Sequence, residues 1–259
     1  MDQSAGNFEV RLARDEADLK AAQRLRYEVF VAELGGAGEL VDHDARLERD
    51  RFDPFYDHML LLDHGRSDLG AVPVVGVYRL MRGDRAAEAG GFYAAGEYDL
   101  SPLLDSGRPV LELGRSCLHA DYRGGVAMYH LWNGLAAYTL QHGIEVLFGV
   151  ASFHGNDVQA LQEPLSLLHH RHLAPTDLRV RALPEHYQRL DLLPEDAIDR
   201  RAAMLQVPSL IKAYLRLGGF IGDGAFIDRE FNTIDVCLIL DTERMNERQR
   251  AIYTRDVPA

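Results

Sequence analysis

A chain of 259 residues, 47% hydrophobic and 26% charged, can bury a sizeable core and has the make-up of a packed protein, not a disordered or fibrous one. Its formal net charge of -12 argues against broad nucleic-acid binding, because phosphate contacts need a surplus of Lys and Arg. No stretch reaches the roughly 18 uncharged apolar residues of a membrane-spanning helix.

The opening MDQSAGNFEV carries acids and no apolar run, so no signal peptide is expected. Residues 8–13 alternate like a short strand, and Asp15 caps a helix marked by Leu19, Ala22, Leu25 and Val29. Glycines at 35, 36 and 38 end it. The acid-rich loop 39–57 that follows is long enough to be functional. Strands are predicted at 60–63, 73–81 and, after a glycine-rich break, 110–115, all neighbours in one sheet. The turn 121–125 opens a helix over 126–141 that holds no Asp, Glu, Lys or Arg. Such a helix is buried or touches lipid, and Asn133 and Gln141 favour burial. A further strand at 144–153, a helix at 209–217 and a hairpin of 225–231 with 234–240 close the chain. Residues 154–204 read as an insertion. Without internal repeats, the pattern gives a single α/β domain over 1–259.

Cys117 and Cys237 are the only cysteines and are not spaced for zinc or redox chemistry. A reduced cytoplasmic setting is the expectation, with one disulfide left open. Cys117 as an acyl-carrying nucleophile lacks an activating His–Asp pair, and packing is the plainer reading. His169-His170-Arg171-His172 lacks the i, i+4 spacing with an acid of a helical zinc site and reads as a solvated basic cluster. No metal is expected.

The order of strands and helices resembles the GCN5-related N-acyltransferase fold, in which a thioester arm slides between two splayed strands of a mixed central sheet flanked by helices. Four motifs in order sharpen this: Arg26-Tyr27-Glu28-Val29-Phe30, Asp53 with Asp57, Arg79-Leu80-Met81, and Glu112-Leu113-Gly114-Arg115. They are similar to the pattern of the acyl-homoserine-lactone synthase group. Residues 112–118, 191–201 and 208–235, the last including Leu217-Gly218-Gly219-Phe220 and Phe231-Asn232-Thr233-Ile234-Asp235, resemble the ornithine-lipid N-acyltransferases, nearly end to end. That resemblance implies a long-chain 3-hydroxyacyl carrier protein as donor and ornithine as acceptor. It also implies lyso-ornithine lipid as product, a helical insertion at 154–204, and no metal or redox cofactor beyond the carrier protein's phosphopantetheine arm.

Amide formation needs a neutral amine, so a carboxylate or water relay should take a proton. Glu112 is the candidate, with a structural Glu–Arg pair as the alternative. Strand alternation puts Glu112 and Arg115 on opposite faces unless a bulge intervenes, which Gly114 would permit. Asp53 and Asp57 could bind the amines of ornithine, and Arg26, Arg79 or Arg115 its carboxylate. Backbone N–H groups near 114–116 could receive the oxyanion. Arg123, Gly124 and Gly125 offer a phosphate site at a helix start. The coenzyme A pattern fails there at Val126 and Met128, which favours the carrier protein as donor. Trp132 and Tyr129 could wall an acyl tunnel. Arg200, Arg201, Lys212 and Arg216, with the histidine cluster, make a local cationic surface for docking an acidic carrier protein or, alternatively, anionic headgroups on the inner face of the cytoplasmic membrane. Rivals are transfer to another amino acid such as glutamine, lactone synthesis, and a non-catalytic binding module.

Overall fold

The computed structural model describes residues 7–245; residues 1–6, part of the opening stretch read as lacking a leader, lie outside them. In chain order the elements are β1 (Phe8–Leu12), α1 (Glu16–Arg26), β2 (Asp57–Asp63), β3 (Val74–Arg82), α2 (Gly83–Ala89), β4 (Tyr98–Asp99), α3 (Ser101–Leu104), β5 (Val110–Leu118) and α4 (Ala127–Gln141). There follow β6 (Val146–His154), α5 (Gln162–His172), β7 (Arg181–Ala182), β8 (Tyr187–Gln188), α6 (Arg200–Gln206), α7 (Ser209–Arg216), β9 (Phe220–Ile221), β10 (Ala225–Asp228) and β11 (Thr233–Asp241). The fold is mixed α/β with mostly antiparallel strand pairing. The expected single domain divides into two compact units, one of residues 7–89 with Leu113–Gly143, the other Gly90–Glu112 with residues 144–245.

In the first unit the strand order is β1-β2-β3-β5. Asp15 starts α1 as its composition predicts, accepting from the Asp18 N–H at 2.9 Å. The helix continues into a wider π-helical stretch, Tyr27–Glu33, and ends at Gly35, whose φ of 74° suits a residue without Cβ. Alternate strand residues choose the faces. Leu60, Leu62, Val77 and Cys117 pack with Ala22, Leu25 and Val29 of α1. Helix α4 is buried along Ala127, Leu131, Trp132, Leu135 and Tyr138, where the missing charges led one to expect it. Two glycines let it pack closely on the strands. A Cβ at Gly134 would lie 2.6 Å from Val10 Cγ1, and one at Gly76 of β3 would lie 2.8 Å from Leu118 Cδ2 and 3.0 Å from Leu131 Cδ1.

In the second unit the order is β5-β6-β11-β10-β8, with β9 on β11. Parallel pairing of β5 with β6 covers Val110↔Val146, Leu111↔Leu147 and Glu112↔Phe148. β6 and β11 then pair antiparallel over nine positions, Thr233↔His154 to Asp241↔Val146. The insertion is not purely helical. Besides α5 and α6, it supplies β8, which adds to the sheet beside β10, and β7, which pairs with β4. The glycine-rich break read after β3 holds α2, β4 and α3, elements too short for a periodic signal.

Candidate active site

The first unit gathers three arginines and three carboxylates from four places in the chain. Arg26 closes α1 with its side chain fully buried. Its Nε donates to Glu48 Oε2 at 2.5 Å and its Nη1 to Asp53 Oδ1 at 2.7 Å. Arg79 of β3, equally buried, donates from Nη1 to Asp50 Oδ2 and to Asp53 Oδ1, both at 2.7 Å. Its guanidinium lies 4.3 Å from the Tyr56 ring centre. Arg115 of β5 reaches Glu48 Oε1 at 3.1 Å and Asp50 Oδ2 at 3.4 Å. Gln23 adds a bond to Asp53 Oδ2 at 2.9 Å. The formal charges cancel within the cluster.

Cancellation is what allows burial, since an unpaired ion would cost several kcal/mol there. Burial pushes the Asp53 carboxyl up, but the Arg26 and Arg79 guanidiniums outweigh it and hold the group far below the usual carboxylate range. Glu48 and Asp50 follow the same balance, burial against Arg115, Arg26 and Arg79. His58, paired across strands with Arg79, is pulled down to about 4, by burial first and by Arg26 and Arg79 besides, against the opposing pull of Asp53. The ring is therefore neutral near pH 7. Its Nε2 lies 3.0 Å from the Asp53 carbonyl, so this nitrogen carries the proton and donates.

Arg26, Asp53, Arg79 and Arg115, each expected at the substrate, are thus brought together with one another. Direct contact of Arg26 or Arg79 with a substrate carboxylate is corrected by their burial and by the acids that already occupy them. The less buried members are Arg115 and Asp50, with side chains 14% and 17% exposed. Asp57 stands apart. It begins β2 on the opposite face, where its Oδ2 accepts from Arg82 at 2.8 Å and from the Tyr138 hydroxyl of α4 at 2.6 Å. Within β2 it alternates with His58, whose ring is the one that meets Asp53. Glu48, Asp50, Gln23 and His58 were missed; the acid density of the loop was the only sign of the first two.

Arg115 has a φ of 49°, left-handed backbone that a side chain other than glycine adopts at a cost of about 1–3 kcal/mol. A bulge-like break therefore exists, but at Arg115 rather than Gly114. It turns two successive positions to one side. A Cβ built on Gly114 points toward the Tyr56 hydroxyl (3.7 Å) and Arg79 Nε (3.8 Å), while Arg115 reaches the same cluster.

Glu112, in the second unit, is 1% exposed. Its oxygens accept the N–H groups of Tyr93 at 3.0 Å and Ala94 at 2.7 Å, anchoring the 3-10 turn Tyr93–Gly96. Those bonds use two of about four lone-pair sites on a carboxylate. Arg123 is paired with Glu33, Nη2 to Oε2 at 2.7 Å, so its charge is already balanced at the expected phosphate turn; Gly124 there has a φ of 75°. Trp132 is buried in α4. Cys117 and Cys237 are both free and buried, and burial raises the Cys117 thiol to about 12, which leaves no thiolate near neutrality. His170 Nε2 bonds the Leu193 carbonyl at 2.9 Å, and among the described residues no group of three or more His, Cys, Asp or Glu is placed to hold a metal. A groove of about 780 Å³ runs along α1 past Arg24, Val29 and Val72 to His119; none of the six charged residues of the cluster lines it.

Fold and sequence together define an acyltransferase: residues 25–133 match the acetyltransferase (GNAT) domain family. Over nearly the whole chain the similarity narrows. It is 61% identical to the L-ornithine N(alpha)-acyltransferase of Rhodobacter capsulatus across 97% of this chain and 96% of that one. It is 46% identical to the protein of the same name from Brucella abortus, across 96% and 89%. The chain belongs to the L-ornithine N(alpha)-acyltransferase family. Among solved structures, the AHL synthase LasI aligns with a TM-score of 0.51 at 17% identity over 98% of both chains. FeeM, an N-acyl amino acid synthase from uncultured soil microbes, aligns with 0.50 at 12% over 91% of both. At such identities these two establish the fold alone.

Proposed function

We propose that this protein transfers a long-chain 3-hydroxyacyl group from acyl carrier protein to the α-amine of L-ornithine, forming lyso-ornithine lipid in the cytoplasm. The observation that carries the reading is the 61% identity to a protein named for that acceptor, over 97% of this chain. The charge arrangement supports it. Arg115 and Asp50, adjacent and least buried in the cluster, offer a cation for the carboxylate and an anion for an ammonium group of a zwitterionic, cationic amino acid.

In this scheme the amine nitrogen attacks the thioester carbonyl, and the oxyanion that forms is received by backbone N–H groups of residues 114–116, around the left-handed Arg115. Collapse expels the carrier protein's thiolate. The proton lost by nitrogen passes to Glu112, directly or through water, and returns to the leaving sulfur. Arg26 and Arg79 act at one remove by fixing Asp50 and Glu48, which in turn hold Arg115. The turn Arg123-Gly124-Gly125 receives the single phosphate of the arm through its amides, and Trp132 flanks the acyl chain. No metal or redox cofactor enters.

The test is a purified-protein assay with 3-hydroxyacyl carrier protein or the matching acyl-coenzyme A, each offered ornithine, lysine, glutamine and S-adenosylmethionine, with products read by mass spectrometry. The expected product is N-acylornithine, formed faster from the carrier protein. An amide of glutamine with none of ornithine, or a lactone, overturns the acceptor. Equal use of coenzyme A overturns the donor. No product from any pair, with the carrier protein still bound, makes the chain a binding module.

A further inference from the structure

From Arg200 to Gly222 the chain holds no Asp or Glu and four cations, Arg200, Arg201, Lys212 and Arg216, in a protein of net charge -12. The stretch forms α6 and α7. Leu205, near the end of α6, is 74% exposed, the most exposed large hydrophobic side chain among the described residues. Arg201 and Leu205 are four apart on α6 and share a face. Lys212 Nζ reaches the Leu205 carbonyl at 3.4 Å, and Arg216 follows Lys212 one turn later on α7. The result is a continuous stripe of cation, leucine, cation, cation. The inward faces are closed, with Ala203 and Ile211 fully buried and Tyr214 nearly so. Arg200 is drawn to Glu195 at 3.3 Å, whereas Arg201 and Arg216 have no ion-pair partner among the described residues.

We infer that α6 and α7 dock on an anionic lipid surface, with Leu205 entering the boundary between headgroups and acyl chains and Arg201, Lys212 and Arg216 meeting the phosphates. A projecting apolar side chain among long cationic ones is the arrangement of an interfacial helix. The acidic remainder of the protein is repelled by such a surface, so the stripe also sets which side faces it. An acidic carrier protein shares the charge preference but must supply a socket for Leu205; a fluid acyl layer accepts it without one.

The experiment is co-sedimentation of the full chain with phosphatidylcholine vesicles, with and without phosphatidylglycerol, at low and high salt. Binding is expected only with phosphatidylglycerol and falls as salt screens the charges. Leu205→Gln weakens it about tenfold, and the double variant Arg201→Glu, Arg216→Glu at least about tenfold. Thermal midpoints of both variants match the parent, which separates lost binding from lost fold. The inference is overturned if the parent ignores phosphatidylglycerol vesicles, or if Leu205→Gln binds them as the parent does. It is likewise overturned if the charge variants raise the KM for acyl carrier protein while vesicle binding stays intact, an outcome that assigns the stripe to the carrier protein.

Discussion

Arg26 of α1 and Arg79 of β3 donate to one and the same oxygen, Oδ1 of Asp53, each at 2.7 Å. A single acceptor thereby ties a helix end to a strand, and Glu48 and Asp50 complete the charge balance around them. The pairing is a scaffold for Arg115, the one arginine of the three that retains some exposure.

Removing one partner leaves a buried charge uncompensated. Arg26→Met is expected to lower unfolding free energy by about 3–5 kcal/mol, measured by urea denaturation. Arg26→Lys should recover only part of it, because an ammonium cannot reach Glu48 and Asp53 with a planar fork. Full recovery by lysine would show that charge alone, without geometry, holds the cluster.

His58 makes stability depend on pH in a defined window. Its folded value of about 4 lies below the unfolded value of about 6.5, so the unfolded chain binds the extra proton between them. The contribution is complete above about pH 6.5 and is lost as pH falls toward 4, by about 3 kcal/mol in all. Asp53, Glu48 and Asp50, also depressed, add their loss at lower pH, below the ordinary carboxylate range. Unfolding free energies of the parent and of His58→Gln should therefore converge as pH drops from 7 to 4.5. Parallel curves would remove His58 from the account.

Asp57 is expected to behave unlike Asp53. It and its partner Arg82 are partly exposed, and Asp57→Asn should cost about 1 kcal/mol and leave the KM for the acceptor unaltered. Asp53→Asn should lower stability and acceptor use together. Equal kinetic effects in the two variants would contradict the separation of the faces.

Glu112 can be tested as base against anchor. Under the proposed mechanism Glu112→Gln lowers kcat by about 10²-fold or more at little change in KM. If the carboxylate serves only Tyr93 and Ala94, the variant instead loses about 1–3 kcal/mol of stability with kcat nearly intact. Steady-state kinetics beside thermal unfolding distinguishes the two.

A direct transfer needs no sulfur on the enzyme. Cys117→Ala should keep turnover, cost about 1 kcal/mol in packing, and the parent should show no acylated protein by intact mass. An acyl adduct lost in the variant would restore a covalent route.

The sequence carried much of this in its periodicity. The cap at Asp15, the uncharged helix α4 and the β10–β11 hairpin were all readable, since each rests on a local pattern. The arginine–carboxylate cluster was readable in half. Arg26, Asp53, Arg79 and Arg115 stand in motifs, whereas Glu48 and Asp50 sit in an aperiodic loop whose partners lie far along the chain. Asp57 was read together with Asp53, yet it bonds Arg82 and Tyr138, because in β2 it alternates with His58, which faces Asp53. The backbone break was anticipated at the glycine, yet Arg115 takes the left-handed angle, drawn by Glu48 and Asp50. Nothing local marks β8 as a sheet strand; its two residues are defined only by β10 beside them.

The two glycines beneath and within α4 have a mechanical meaning. With Gly134 seated against Val10 and Met59, and Leu131 lowered into the space over Gly76, the helix rests on the strands with no room for even one methyl group. Alanine at Gly134 would press on Val10 and Met59, and alanine at Gly76 on Leu118 and Leu131, so those side-chain ends would have to yield before a methyl could enter. Two absent side chains thus let the rod lie against its floor at close range.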